Sequence, residues 1–186
     1  MVGLVQQERD SVQQQGKLAR FELWVVPHMG AAYNLARWLT RNEHDAEDVV
    51  QEAYLRAYRF FDGFHGGDGR TWLLAIVRNT CYTWLQQNRK PSLELQDDMP
   101  DLDSGRSNPE ALLLRSVDRD LLRQALDDLP VEFREAIVLR ELEGLSYKEI
   151  GSVAGIPLGT VMSRLARARS RLETALVGRA RQGGAA

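Results

Sequence analysis

The sequence predicts an all-α protein of two small helical domains joined by a flexible acidic linker, and three observations carry the prediction. Apolar residues recur at helical spacing through most of the chain. Pro91 to Glu110 lacks that period and holds six acids against Arg106 alone, 1 − 6 = −5, so its self-repulsion keeps it extended. Leu145 to Leu176 reads as two helices meeting at a tight turn. These observations divide the chain into a flexible arm over 1–20, a helical domain over 21–90, a linker over 91–111, a helix-turn-helix domain over 112–177 and a tail over 178–186.

Taken in order, Met1 to Gly16 is glutamine-rich with little apolar content, which predicts a frayed or disordered arm. Phe21 to Leu39 is apolar at close intervals but interrupted by Pro27 and Gly30, which predicts a broken helix. Asp45 is placed to cap a helix over Ala46 to Phe61, whose positions Ala46, Val49, Val50, Ala53, Ala57 and Phe60 keep helical spacing. DGFHGGDGR has four glycines in nine residues and reads as a loop from Asp62 to about Arg70. A helix from Thr71 to about Arg89 buries Leu73, Leu74, Ile76, Val77, Cys81 and Leu85.

Beyond the linker, helices are predicted over Leu112 to Leu129 and Pro130 to Leu142, the latter ended by Gly144. Ser146 and Glu149 form an S-x-x-E capping box, so the next helix begins at Tyr147. Gly155 accepts positive φ, and Pro157 opens the second helix of the pair.

An apolar fraction of 44% over 186 residues is enough to build a core. No run approaches the roughly 20 apolar residues of a membrane span, and the N-terminus lacks the apolar block of a signal peptide, so a cytoplasmic address is expected. Cys81 is the single cysteine, and His28, His44 and His65 have no ligand-like spacing, so no metal or other cofactor is expected. Cys81 reads as a reduced thiol in a helix core.

Three faces have chemistry that points outward. On the last helix, Val161, Leu165, Ala168, Leu172 and Leu176 form an apolar stripe, and Thr160, Ser163, Arg164, Arg167 and Arg171 are assigned to the opposite side. Leu158 to Gln182 carries six Arg and one Glu, 6 − 1 = +5, suited to phosphates and guanine edges, although a merely solvated amphipathic helix has the same pattern. Asp48 and Glu52 stand one turn apart beside Gln51. Spacing leaves three readings of that face open: a metal site, acids favoured by the helix dipole, or a dock for a basic partner. Arg70 to Lys90 has four basic residues, no acid, and Trp72, Tyr82 and Trp84 interleaved. That pattern suits a single strand of nucleic acid, with Trp72 better read as core.

With those residues placed, the sequence resembles the extracytoplasmic-function (ECF) group of bacterial RNA polymerase sigma factors over about Phe21 to Leu176. ARWLTRNEHDAEDVVQEAYLRAYRFF looks like the segment by which that family docks on the polymerase clamp, and a WL-x-x-I-x-RN helix follows it. LPVEFREAIVLRELEGLSYKEIGSVAGIPLGTVMSRLARARSRL looks like the family's minus-35 domain. The resemblance implies a non-enzymatic alternative sigma factor with core RNA polymerase, promoter DNA and an anti-sigma protein as partners, and no membrane insertion. It implies that Asp45, Asp48, Gln51 and Glu52 meet polymerase, and that Arg70, Arg78, Asn79, Thr83 and Gln86 meet the minus-10 element during opening. It further implies that Thr160, Ser163, Arg164, Arg167 and Arg171 meet the minus-35 element. Met162, Thr83, Gln86 and Gln87 depart from the residues frequent at those positions in the family.

Two rivals remain on sequence grounds. An ordinary helix-turn-helix regulator explains the last third but not DAEDVVQEA, and a metal enzyme built on Asp48 and Glu52 lacks a second ligand set.

Overall fold

The computed structural model describes the backbone of residues 2–88 and 119–183, and side chains over 13–88 and 121–177. The predicted linker at 91–111 and the start of the second domain at 112–118 lie outside the described residues. All described regular elements are helical, and the chain divides into two compact units with the main break at Trp84/Leu85.

The first unit begins with α1, Val2–Trp24, where the composition predicts a disordered arm. Gln, Glu, Lys and Arg are good helix formers, so low hydrophobicity does not by itself prevent helix formation. The C-terminal part of α1 is tied down: the Lys17 Nζ lies 2.7 Å from the Asp62 carboxylate and 4.8 Å from the centroid of Tyr58, and Phe21 is buried. A 3₁₀ turn, Val26–His28, contains Pro27 and leads into α2, Met29–Thr40. The break predicted at Pro27 is thus present, while Gly30 lies inside α2. Arg41 closes α2 in the left-handed region at φ 62°, with its N–H on the Arg37 carbonyl.

The α3 helix, Glu43–Phe60, starts earlier than predicted because Asn42, not Asp45, caps it. Extended at φ −137°, Asn42 turns its Oδ1 back to accept from the amides of His44 (2.9 Å) and Asp45 (3.2 Å). Asp45 falls in the first turn, where the helix dipole favours its charge. A 3₁₀ turn, Phe61–Gly63, follows, and α4 runs Gly69–Gln87. The irregular stretch is therefore only 64–68, shorter than the predicted loop. Asp68 ends it as a cap, accepting from the Arg70 amide at 3.0 Å and from the Thr71 hydroxyl.

Phe21 meets Tyr54, Tyr58 and Phe61 edge-on at 6.2, 5.3 and 5.3 Å between centroids, and Phe61 stacks on Phe64 at 5.6 Å. Trp72 completes the cluster 5.0 Å from Phe64. Trp72 is half-buried and packs its ring against the core as predicted, which seats α1, α3 and α4 around one aromatic centre. Burial pushes the Tyr54 phenol up to about 12. Cys81 is a buried thiol outside any disulfide, as predicted.

The second unit contains α5, Arg119–Asp127; α6, Val131–Ile137; a π-helical turn, Val138–Leu142; α7, Tyr147–Ala154; and α8, Leu158–Gly183. Pro130 caps α6, and the guanidinium of buried Arg134 donates to the Asp127 carbonyl at 2.9 Å, satisfying the end of α5. The predicted capping box is present: the Ser146 amide donates to Glu149 Oε2 at 2.6 Å, and the Glu149 amide to Ser146 Oγ at 3.3 Å. Gly155 takes φ 67°, ψ 35°, and the carbonyl of Pro157 accepts from Thr160 and Val161 to start α8. This helix passes without a break through Gly178, where the sequence predicts a tail.

Candidate nucleic-acid interface

The direction in which α8 presents its side chains follows from what it buries. Val161, Leu165 and Ala168 have no more than 1% of their surface exposed, and Leu176 is buried too, so the predicted stripe faces the core. The side farthest from that stripe carries Ser163, Ala166, Arg167 and Ser170, all exposed, while Thr160 is half-buried. Ser163 Oγ donates to the Thr160 carbonyl at 3.0 Å, which leaves its lone pairs directed outward as acceptors.

Arg164 and Arg171 are not on that far side, and this corrects the predicted five-residue face. At about 100° per residue they stand within about 100° of the stripe centre, whereas Ser163 and Arg167 stand at about 140° to 180°. Arg164 turns toward Glu135 of α6, a carboxylate with 1% exposure, at 3.7 Å. That spacing is an ion pair but too long for a hydrogen bond, and Arg164 Nη1 has no hydrogen-bond partner. Arg171 lies over the ring of buried Phe133 at 5.0 Å. Further along, Arg169 pairs with Glu141 at 2.9 Å. Burial alone would lower the Arg169 guanidinium, but Glu141 and Tyr147 outweigh it and hold the group above its ordinary value.

Glu135 and Glu141 are the anchors that the sequence reading missed. For Glu135 the signal available was an acid inside an apolar run, FREAIVL, where an unpaired carboxylate is costly.

In the first unit, Asp48, Gln51 and Glu52 are exposed on α3 and Asp45 is half-buried. Glu52 accepts from Arg56 Nε at 2.7 Å. Leu55, 64% exposed, extends the same face at i, i+3, i+4, i+7 from Asp48 and was also missed. Among the described residues no three His, Cys, Asp or Glu side chains group as a metal site.

On α4, Asn79 and Gln86 are exposed, and Arg70, Arg78 and Thr83 half-buried. The Arg78 guanidinium lies 4.0 Å over the Tyr82 ring and donates to Asn79 Oδ1 at 3.2 Å. A planar cation is thus fixed on a ring face, the geometry of a stacking surface. Thr83 donates its hydroxyl to the Asn79 carbonyl at 3.0 Å. Arg70 stands two turns before Arg78, beside the Asp68 cap. Partial burial would raise the Asp68 carboxyl, but hydrogen bonds from the Thr71 side chain and the Arg70 and Thr71 amides, with the charge of His28, hold it below the usual carboxylate range.

Two families match these two units in order, sigma-70 region 2 over residues 24–90 and sigma-70 region 4 over residues 119–172. The chain is 38% identical over 170 residues to the ECF RNA polymerase sigma-E factor of Escherichia coli K12, covering 86% of this chain and 88% of that protein. The chain belongs to the ECF RNA polymerase sigma factors. It is accordingly a transcription initiation factor and not an enzyme. It is also 37% identical over 164 residues to the ECF RNA polymerase sigma factor SigE of Mycolicibacterium smegmatis, covering 88% of this chain but 64% of that longer protein. Among solved structures it is similar to the sigma factor RpoE in complex with the anti-sigma factor NepR from Bartonella quintana. The TM-score is 0.65 and the identity 27%, over 84% of this chain and 96% of that one.

Proposed function

We propose that this chain binds core RNA polymerase through α3 and directs it to promoters through α4 and α8. Residues 21–90 form the polymerase-binding and minus-10 domain, residues 112–177 the minus-35 domain, and 91–111 the tether between them. The observation that carries the reading is the pairing, in one chain of this family, of an exposed Asp48–Gln51–Glu52 face with a helix-turn-helix whose second helix shows Ser163 and Arg167 outward. Asp48, Gln51 and Glu52 offer acceptors to a basic polymerase surface, with Asp45 at the margin. Arg78, Asn79 and Gln86 line the strand path, with Arg70 and Thr83 beside them.

On α8, Ser163 and Arg167 meet base edges near the helix start and Thr160 supports them, while Arg164 and Arg171, turned toward Glu135 and Phe133, hold the helix in place for that contact. An anti-sigma protein holds the free chain, as one holds the B. quintana factor. No described helix is long and apolar enough to cross a membrane, and the proposed partners place the protein in the cytoplasm.

The test is assembly with core polymerase. Removing one side of an interfacial charge pair costs about 2 to 5 kcal/mol, so Asp48→Arg abolishes co-elution with core enzyme while helicity is unchanged. Undiminished co-elution of that variant removes the α3 assignment.

A further inference from the structure

The start of α8 exposes two apolar side chains as well as its polar ones. Leu158 and Met162 are each 53% exposed, and at i, i+4 they are neighbours on the helix surface. Met162 precedes Ser163 directly, within the two turns that enter the groove first on the reading proposed above, and the exposed guanidinium of Arg167 stands one turn beyond. The stretch from Leu158 to Gln182 carries 6 − 1 = +5; Arg164 and Arg169 lean on Glu135 and Glu141, but the exposed Arg167 and the lack of any acid between Leu158 and Arg171 make the outward surface complementary to a polyanion. In the major groove, the apolar group that a base pair presents is the C5-methyl of thymine. A thioether on an unbranched stem adapts to such a contact, whereas neither a hydroxyl nor a guanidinium gains from it.

We infer that Met162 is a specificity-determining residue that reads the C5-methyl group of a thymine in the minus-35 element, with Leu158 flanking the same contact. The inference rests on minus-35 reading by α8. It adds to the hydrogen-bonding set of Ser163 and Arg167 an apolar reader that selects a T·A pair in one orientation. Both side chains already stand in water in the free protein, so DNA burial of this patch withdraws apolar surface at no cost to the core.

The experiment replaces each thymine of the minus-35 element, on both strands in turn, by deoxyuridine, which removes the methyl group and leaves every hydrogen bond in place. Initiation by reconstituted holoenzyme is then measured for the wild type, Met162→Ala and Met162→Lys. At one position the substitution lowers wild-type initiation about threefold to fivefold, the factor that losing one buried methyl contact produces. Met162→Ala and Met162→Lys lower initiation on the thymine promoter and show no further loss with deoxyuridine. Wild-type initiation insensitive to deoxyuridine at every position overturns the inference, as does equal sensitivity in Met162→Ala. A promoter with its minus-35 element scrambled serves as the control. If the wild type initiates from it unimpaired, minus-35 reading itself fails; if initiation falls but no deoxyuridine effect appears, only the role of Met162 fails.

Discussion

Replacing Arg164 by Ala should damage the second domain's stability more than its sequence preference, and the structure sets the magnitude. The guanidinium lies 3.7 Å from Glu135, which is 1% exposed, so its removal takes one compensating charge from a carboxylate in the core. Breaking a buried pair from one side costs about 3 to 5 kcal/mol. Here the spacing is too long for a direct hydrogen bond, the Arg164 side chain keeps 24% exposure, and Glu135 retains other interactions, which places the loss near the lower bound, about 3 kcal/mol. For a domain of this size that is a fall in melting temperature of about 12 to 24 °C.

Replacing both partners with apolar residues, Glu135→Leu with Arg164→Met, should recover most of the loss, because the under-compensated buried charge is gone. Urea denaturation of the full chain measures this directly. Trp24, Trp38, Trp72 and Trp84 are the only four tryptophans and all lie before the linker, so their fluorescence reports the first domain while far-ultraviolet circular dichroism reports both. The Arg164→Ala loss should appear in the dichroism transition and leave the fluorescence transition in place. Stability within about 1 kcal/mol of wild type, the range of an exposed pair, would refute the buried-clasp reasoning and restore Arg164 to the groove.

Two further perturbations test the first domain. The Asp68 carboxyl is held below its ordinary value, so its contribution is fully present above about pH 4 and is lost as pH falls through the lowered value; Asp68→Asn keeps a cap but should lack this acid-dependent increment. Identical acid profiles of stability for wild type and variant would contradict it. A Cβ at Gly69 would strike the Trp24 carbonyl oxygen, a backbone atom that cannot yield cheaply, so Gly69→Ala should cost about 1 to 3 kcal/mol in the fluorescence transition despite its modest size.

Local rules made much of this architecture legible. The capping box at Ser146 and Glu149, the left-handed Gly155 and the core stripe of α8 are each fixed by residues within a few positions of one another, and the structure places them as predicted. What local rules do not contain is the partner across the core. Arg164 and Arg171 share a helical side with Thr160 to within one residue's angle, and only Glu135 and Phe133, brought in by α6, decide that they turn inward. The same limit applies to α1, where glutamine-rich composition suggested disorder while helix propensity and the contacts of Lys17 and Phe21 with α3 and the turn after it favoured helix. At α3 the error was one of choice between two good caps: Asn42 and Asp45 are both suitable residue types, and the backbone geometry at Asn42 settled it.

Run-off transcription with purified core RNA polymerase shows whether this chain directs the enzyme to promoters. Templates carry a promoter with intact elements, one with the minus-10 element altered and one with the minus-35 element altered. A discrete transcript is expected only when this chain is added, only from the intact promoter at full strength, and not with the Asp48→Arg chain. Specific DNA binding by the chain without polymerase, together with no promoter-directed transcript in its presence, would contradict that expectation.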